Sequence, residues 1–213
     1  MPSRNLQRLY VPGHYYHVYN RGVEKRNIFI DDEDYRVMLD YLKVALSPDE
    51  DLDDIDLSHT GTRRLRRKKI DEKVDLLAYC LMPNHFHFLF YLHDEEGIQE
   101  LMQSIMTGYV MYFNKKYDRV GSLFQGKYKA SHIDNEAYLW HISRYIHRNP
   151  EDWRNYEYSS IGYYIGQRRS SWVKPEAILQ LHEEYSSNYE DFLVDVEDIS
   201  ESEPFIEPIL ADS

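Results

Sequence analysis

The chain has 213 residues, enough for one domain with a sizeable core or for one domain followed by a tail. No apolar run approaches the roughly 20 residues that a membrane-spanning helix needs, and the first residues carry no apolar signal region, so we expect a cytoplasmic protein with no membrane partner. A formal net charge of −12 argues against a uniformly basic surface, and Cys80, the only cysteine, excludes an intramolecular disulfide.

The charge is unevenly distributed. Residues 175–213 hold twelve Asp or Glu and no Lys or Arg, so residues 1–174 carry 25 charges of each sign and are neutral. Six acidic residues between Asp49 and Asp56 precede a run of six basic ones, Arg63, Arg64, Arg66, Arg67, Lys68 and Lys69. Two interpretations stay open: a solvated loop whose charge balances the acidic run, or an arm that contacts phosphates.

The hydrophobic pattern predicts alternating strands and helices. Strands are expected at 15–21, 74–80, 85–92 and 127–133, and helices at 31–46 (capped by Asp31 or Asp32), 95–117 and 136–149. A polar insertion fills 47–72, one or two short helices fall within 174–196, and 200–213 is expected to be disordered. This order predicts an α+β fold, a ferredoxin-like or RRM-like antiparallel sheet with helices on one face. We place one domain at 1–170 and an acidic extension at 171–213.

Two histidines lie two residues apart in the third predicted strand. Because successive strand residues face opposite sides and rise roughly 3.3 Å each, His85 and His87 share one face, while Phe86 and Phe88 point to the core. Two imidazoles at this spacing can reach one divalent metal. The alternative is that both are ordinary partnered polar residues at a sheet edge.

A second candidate cluster lies at the end of the last predicted helix of the domain. Tyr145 and Asn149 are four residues apart and therefore stack on one face, and Pro150 ends the helix. An amide oxygen there can serve as a third metal ligand, and the phenol can attack a group that the metal polarises. His141, one turn before Tyr145, is a further candidate to bind metal or support the tyrosine, whereas His147 is expected at the surface or in an aromatic stack.

These two clusters resemble the signatures of a known family. The strand Met82-Pro-Asn-His-Phe-His87 and the helix Tyr145-Ile-His-Arg-Asn-Pro150 are similar to those of the HUH single-tyrosine transposases, most closely the REP-associated tyrosine transposase branch. Three further stretches resemble that branch: Tyr16-His-Val-Tyr-Asn-Arg-Gly22, Gly121-Ser-Leu-Phe-Gln-Gly-Lys-Tyr-Lys-Ala130 and Tyr158-Ser-Ser160.

The resemblance implies an enzyme that nicks single-stranded or hairpin-forming DNA and transfers the strand. Tyr145 would become joined to the 5′ phosphate and leave a free 3′-hydroxyl, while Asn149 would complete the shell of a Mg²⁺ or Mn²⁺ ion bound by His85 and His87. The resemblance also implies the ferredoxin-like architecture. We expect a monomer or a homodimer.

The remaining candidate residues would contact DNA. Asn20 and Arg21 end the first strand, and Lys127 and Lys129 alternate with Tyr128, so that both ammonium groups face one way and the ring the other. The alternative is an ordinary solvent-facing strand edge.

Two other functions remain possible from the sequence. A tyrosine-rich ferredoxin-like sheet can bind single strands by stacking without catalysis. A metal held by His85 and His87 can instead activate water, in which case the protein is a phosphodiester hydrolase and Tyr145 is structural.

Overall fold

The computed structural model describes residues 10–54, 70–185 and 189–194. The basic run from Arg63 to Lys69 and the expected disorder of 200–213 lie outside these residues. Of the polar insertion, Asp49–Asp54 forms a short 3₁₀ helix. None of the helices in the described ranges combines the length and apolar character that a membrane span requires.

The centre of the fold is an antiparallel sheet of four strands, β1 Tyr15–Arg21, β2 Val74–Met82, β3 His85–Leu92 and β4 Lys129–Ile133. Their order is β2-β3-β1-β4. The predicted ferredoxin-like arrangement is therefore confirmed. Strand β1 is central, pairing with β3 on one side and β4 on the other.

Helices fill the connections and the C-terminal part. They are α1 Asp32–Leu46, α2 Gly97–Lys116, α3 Glu136–Arg148, α4 Ile161–Tyr164, α5 Glu176–Tyr185 and α6 Tyr189–Val194. Asp31 caps α1, and its side chain accepts a hydrogen bond from the backbone N–H of Asp34. The two short helices expected within 174–196 are α5 and α6.

The two faces of the sheet are covered by different helices. Phe86 and Phe88 are fully buried in one core with α1 and α2, as their alternation predicts. Helix α3 packs on the opposite face, around Cys80 and Leu89. The α+β class is confirmed, but the expectation of helices on one face holds only for α1 and α2. The second face is apolar enough to bury a helix of its own.

Residues after 170 pack on the same domain. Trp172 and Val173 belong to the core with α1 and α2, and Val173 bridges to Leu76 of β2. Ile178 and Phe192 join the core beneath α3. The division into a domain at 1–170 and an extension at 171–213 stays a prediction.

Candidate functional site

The structure brings the four main candidates together on the face covered by α3. His85 and His87 project from β3 towards this helix, and the ring of Tyr145 meets that of His87 edge to face, with centroids 5.2 Å apart. The side-chain oxygen of Asn149 lies 3.1 Å from Nε2 of His85. Two histidines on one strand and two residues near the end of a distant helix therefore form one cluster.

Both ring nitrogens of His85 face amide oxygens. Nδ1 lies 2.6 Å from Oδ1 of Asn84, and Nε2 faces Oδ1 of Asn149. Burial lowers the pKa of His85, and the nearby charge of Arg21 lowers it further, against the hydrogen bond with Asn149. A neutral imidazole carries one proton. When this proton is on Nδ1 and is donated to the Asn84 oxygen, the Nε2 of His85 has a lone pair that faces a lone pair of the Asn149 oxygen.

His87 is more deeply enclosed. Its Nδ1 lies 2.9 Å from Nε2 of His17, a fully buried histidine on β1. Its Nε2 is buried and has no hydrogen-bond partner among the described residues. Burial, followed by the neighbouring His17 and His85, holds the pKa of His87 well below its usual value, so the ring is neutral at neutral pH.

This donor set fits a divalent cation. Neutral imidazole nitrogens and an amide oxygen are all metal ligands, and a cation would engage the orphaned Nε2 of His87 and separate the facing lone pairs of His85 and Asn149. No group of three His, Cys, Asp or Glu side chains in the described ranges has the geometry to hold a metal. The amide of Asn149 stays the predicted third ligand. The cation and its identity as Mg²⁺ or Mn²⁺ stay predictions.

Helix α3 is anchored where it presents Tyr145. His147 is fully buried, with Nε2 2.7 Å from the hydroxyl of Ser160 and Nδ1 2.8 Å from that of Tyr189. His147 does not lie at the surface, because Ser160 just before α4 and Tyr189 of α6 close over it. Its ring meets those of Tyr164 and Tyr189 edge to face, in agreement with the expected aromatic contact. The Ser160 hydroxyl also accepts from the backbone N–H of Tyr79, which ties the helix to β2. His141 is half-buried, and its role stays a prediction.

The candidate DNA contacts outside the basic run gather beside this cluster. A cavity of about 120 Å³ is lined by Tyr19, Asn20, Arg21, Gln125, Lys127 and Lys129. In register, Lys129 pairs with Tyr19 and Tyr19 pairs with His87, so the cavity adjoins the histidines. The Lys129 ammonium lies 5.8 Å from the centroid of the Tyr19 ring.

Asn20 and Lys127 differ from the prediction, Asn20 in the role of its side chain and Lys127 in its position relative to β4. The Asn20 side chain is buried and holds the local backbone, donating to the Gly126 carbonyl and accepting from the Arg21 N–H. Strand β4 begins at Lys129, so Lys127 precedes it. Tyr128 points into the core, as its alternation with the lysines predicts.

Sequence reasoning missed three residues of the cluster, His17, Tyr19 and Asn84. Tyr19 and His17 stack 4.9 Å apart, and His17 stacks on His87 at 5.0 Å. All three lay within stretches already quoted for the resemblance. Strand alternation could have placed His17 and Tyr19 on one face, but only the pairing of β1 with β3 places that face beside His85 and His87.

Comparisons with known proteins find one matching family and similar solved structures. Residues 57–149 match the model of the family described as "Transposase IS200 like". A solved REP-associated tyrosine transposase bound to a REP hairpin superposes with a TM-score of 0.53 at 15% identity, covering 81% of this chain and 92% of the other. A structure from Deinococcus radiodurans R1, whose description names a transposase, gives a TM-score of 0.37 at 17% identity, covering 67% and 95%. No curated protein matches the chain significantly.

The family match spans β2 to the end of α3 and contains His85, His87, Tyr145 and Asn149. The structural likeness extends over most of the chain. Residues 57–149 thus match the IS200-like transposase family, and the chain has the fold of a REP-associated tyrosine transposase, which confirms the resemblance drawn from the sequence.

Proposed function

We propose that the chain is a metal-dependent single-stranded DNA endonuclease and strand transferase that acts through a covalent 5′-phosphotyrosine intermediate. The observation that supports this most is the position of Tyr145. Its ring lies against His87, on the helix whose end brings Asn149 to His85. A nucleophile beside a candidate metal set is the arrangement that tyrosine-based phosphoryl transfer requires.

In the proposed reaction the phenol oxygen of Tyr145 attacks the scissile phosphorus. A phosphorus–oxygen bond to Tyr145 forms, the bond to the 3′ oxygen breaks, and that oxygen leaves as a 3′-hydroxyl with the proton that the phenol gives up. The 5′ phosphate stays on Tyr145. Because one phosphoester replaces another, the same step run backwards with a different 3′-hydroxyl joins two strands without an external energy source.

His85, His87 and Asn149 would hold the cation, which when bound neutralises the non-bridging phosphate oxygens and polarises the phosphorus. The protein contributes rigidity to this set. His87 is 2% exposed, so its ring cannot swing away from the site. Helix α3 carries both Tyr145 and Asn149, so the nucleophile and the third ligand keep a fixed spacing of one turn.

The adjoining cavity would hold the DNA backbone. Arg21, Lys127 and Lys129 supply positive charge, and the Tyr19 ring offers an apolar surface at the same place. The similar solved transposase is bound to a REP hairpin, which supports hairpin-forming DNA as the substrate class here. The basic residues Arg63 to Lys69 are proposed to contribute further phosphate contacts.

The test is to incubate the full chain with 3′-labelled single-stranded DNA and Mn²⁺ and to analyse the mixture under denaturing conditions, because the fragment that stays on Tyr145 carries the 3′ end of the DNA. A label that migrates with the protein after cleavage supports tyrosine chemistry. Cleavage without an adduct would instead indicate hydrolysis by water. Retention of intact DNA in a native gel, with neither product, would identify a binding module.

A further inference from the structure

We propose that His17 and Asn84 are positioning residues that set the ring tautomers of His87 and His85, so that both Nε2 atoms present lone pairs to the same point. The proposal rests on the proposed function, since it concerns the same site. Neither residue touches the reacting atoms. Each acts through the histidine that it contacts.

The first half of the proposal rests on a pair of stacked imidazoles. Nε2 of His17 lies 2.9 Å from Nδ1 of His87, with ring planes 17° apart. A hydrogen bond between them needs one donor and one acceptor. If His87 donates from Nδ1, its Nε2 keeps a lone pair, and this is the buried nitrogen that has no partner among the described residues.

The second half concerns the turn before β3. Oδ1 of Asn84 lies 2.6 Å from Nδ1 of His85 and can only accept, so Nδ1 has to carry the proton. The Asn84 amide group donates to the carbonyl of Lys25, which fixes which end of the amide faces the ring. Nε2 of His85 is then left with a lone pair on the side of Asn149.

The loop at residues 22–26 contacts Asn84 and fixes its position. The backbone N–H of Gly22 donates to the Asn84 carbonyl, and a Cβ at Gly22 would lie 2.2 Å from the Arg26 carbonyl oxygen. Glu24 and Lys25 both adopt positive φ angles, 57° and 61°. Backbone conformations that are costly for ordinary residues persist where the surrounding structure requires them.

Stability does not account for the histidine pair. His17 is completely buried, and its Nδ1, like Nε2 of His87, has no hydrogen-bond partner among the described residues. A buried polar atom without a partner destabilises the folded state, so two apolar side chains would suit the packing better. Partners that orient metal-binding histidines recur in metal sites, and their loss weakens affinity about 10- to 100-fold.

The first experiment reads the tautomers directly. Two-bond ¹H–¹⁵N correlation spectra of the full chain with ¹⁵N-labelled histidine, recorded with and without Mg²⁺, show which nitrogen of each ring carries the proton. We expect Nδ1 to be protonated in both His85 and His87. Protonation of His87 on Nε2 in both spectra would overturn the proposal without any variant.

The second experiment measures Mn²⁺ affinity by electron paramagnetic resonance in the absence of DNA. His17→Phe should weaken binding about 10- to 100-fold, whereas His17→Gln, which keeps an acceptor, should stay within a few-fold of wild type. Asn84→Ala should weaken binding similarly, and Asn84→Asp should not. His132→Phe, a substitution at an exposed histidine, is the control and should change nothing.

Wild-type affinity in folded His17→Phe and Asn84→Ala variants would overturn the proposal. Should His17→Phe fail to fold, the tautomer spectra of the wild type decide the matter. Failure of the proposed function has a different signature: the expected tautomers and Mn²⁺ affinities with no DNA cleavage would leave the positioning role intact and reject the transferase.

Discussion

Asn149 and His85, 64 positions apart, meet at 3.1 Å between the amide oxygen and Nε2. One residue belongs to the end of α3 and the other to the start of β3. The candidate metal set is therefore divided between a strand and a helix. Its geometry depends on how firmly α3 is held on the sheet.

We expect His85→Ala to abolish divalent-metal-dependent DNA cleavage and Asn149→Ala to reduce it less severely, because the second variant keeps both imidazoles. The fold should survive, since the core contacts of β3 come from Phe86 and Phe88. Cleavage of labelled single-stranded DNA against Mn²⁺ concentration is the measurement. His93→Ala, which alters a partly exposed histidine just beyond the strand, is the matched control. Cleavage at the wild-type rate by His85→Ala would reject the metal set.

The anchor of α3 can be tested through Ser160. Removing its hydroxyl leaves Nε2 of His147 and the N–H of Tyr79 without their partner, and unsatisfied buried groups cost about 1–3 kcal/mol each. We expect Ser160→Ala to lower the free energy of unfolding by about 2 kcal/mol in urea titrations. The neighbouring Ser159 makes only longer bonds of 3.3 and 3.4 Å, so Ser159→Ala should cost less than half as much. Equal losses in both variants would contradict the anchor.

Much of the fold is readable from local patterns. Alternation located β1 and β3 to the residue, and Pro150 marked the end of α3 beside Asn149. These features depend on side-chain periodicity and backbone geometry, which are properties of neighbouring residues. The same alternation placed His85 and His87 on one face.

The remaining features of the fold and the site depend on contacts between segments that are distant in sequence. His17 becomes a partner of His87 only because β1 pairs with β3, and the two residues are 70 positions apart. The burial of His147 depends on Tyr189 of α6. Nothing in the period of α3 says which face of the sheet it covers, so its place opposite α1 and α2 could not be predicted.

The junction between α1 and α2 offers a test of stability. Lys116 lies 3.0 Å from the fully buried carboxylate of Asp34 and 2.7 Å from that of Asp31. We expect Lys116→Met to lower the free energy of unfolding by about 2 to 3 kcal/mol, since Asp34 loses its cation but keeps other hydrogen bonds. The exposed neighbour gives the control, Lys115→Met, which should change stability little.

This effect should depend on pH in a defined direction. The hydrogen bond from Lys116 holds the pKa of Asp31 below its usual value. A lowered carboxyl pKa stabilises the folded state above the unfolded value of about 3.9, and the stabilisation is lost as the pH falls through the folded pKa. The difference between wild type and Lys116→Met should therefore be full at neutral pH and shrink below about pH 4. A difference that grows on acidification would contradict this account.

If the cavity beside the histidines binds DNA phosphates, its lysines should contribute to the salt dependence of DNA binding. Replacing Lys127 and Lys129 by Gln should weaken single-strand binding and reduce the slope of log affinity against log salt by about 1.4, since each lost phosphate contact accounts for about 0.7. Lys115→Gln, on the helix that covers the other face, is the control. An unchanged slope in the double variant would show that Lys127 and Lys129 do not contact DNA phosphates and belong to an ordinary solvent-facing edge.

The central claim is that Tyr145 is the nucleophile. The most direct measurement is mass spectrometry of the protein after reaction with single-stranded DNA and Mn²⁺, digested with nuclease and protease to locate the modified residue. We predict a 5′-linked nucleotide on Tyr145, and its loss in Tyr145→Phe with folding and DNA binding retained. A nucleotide on any other tyrosine, or an adduct that persists in Tyr145→Phe, would contradict the account.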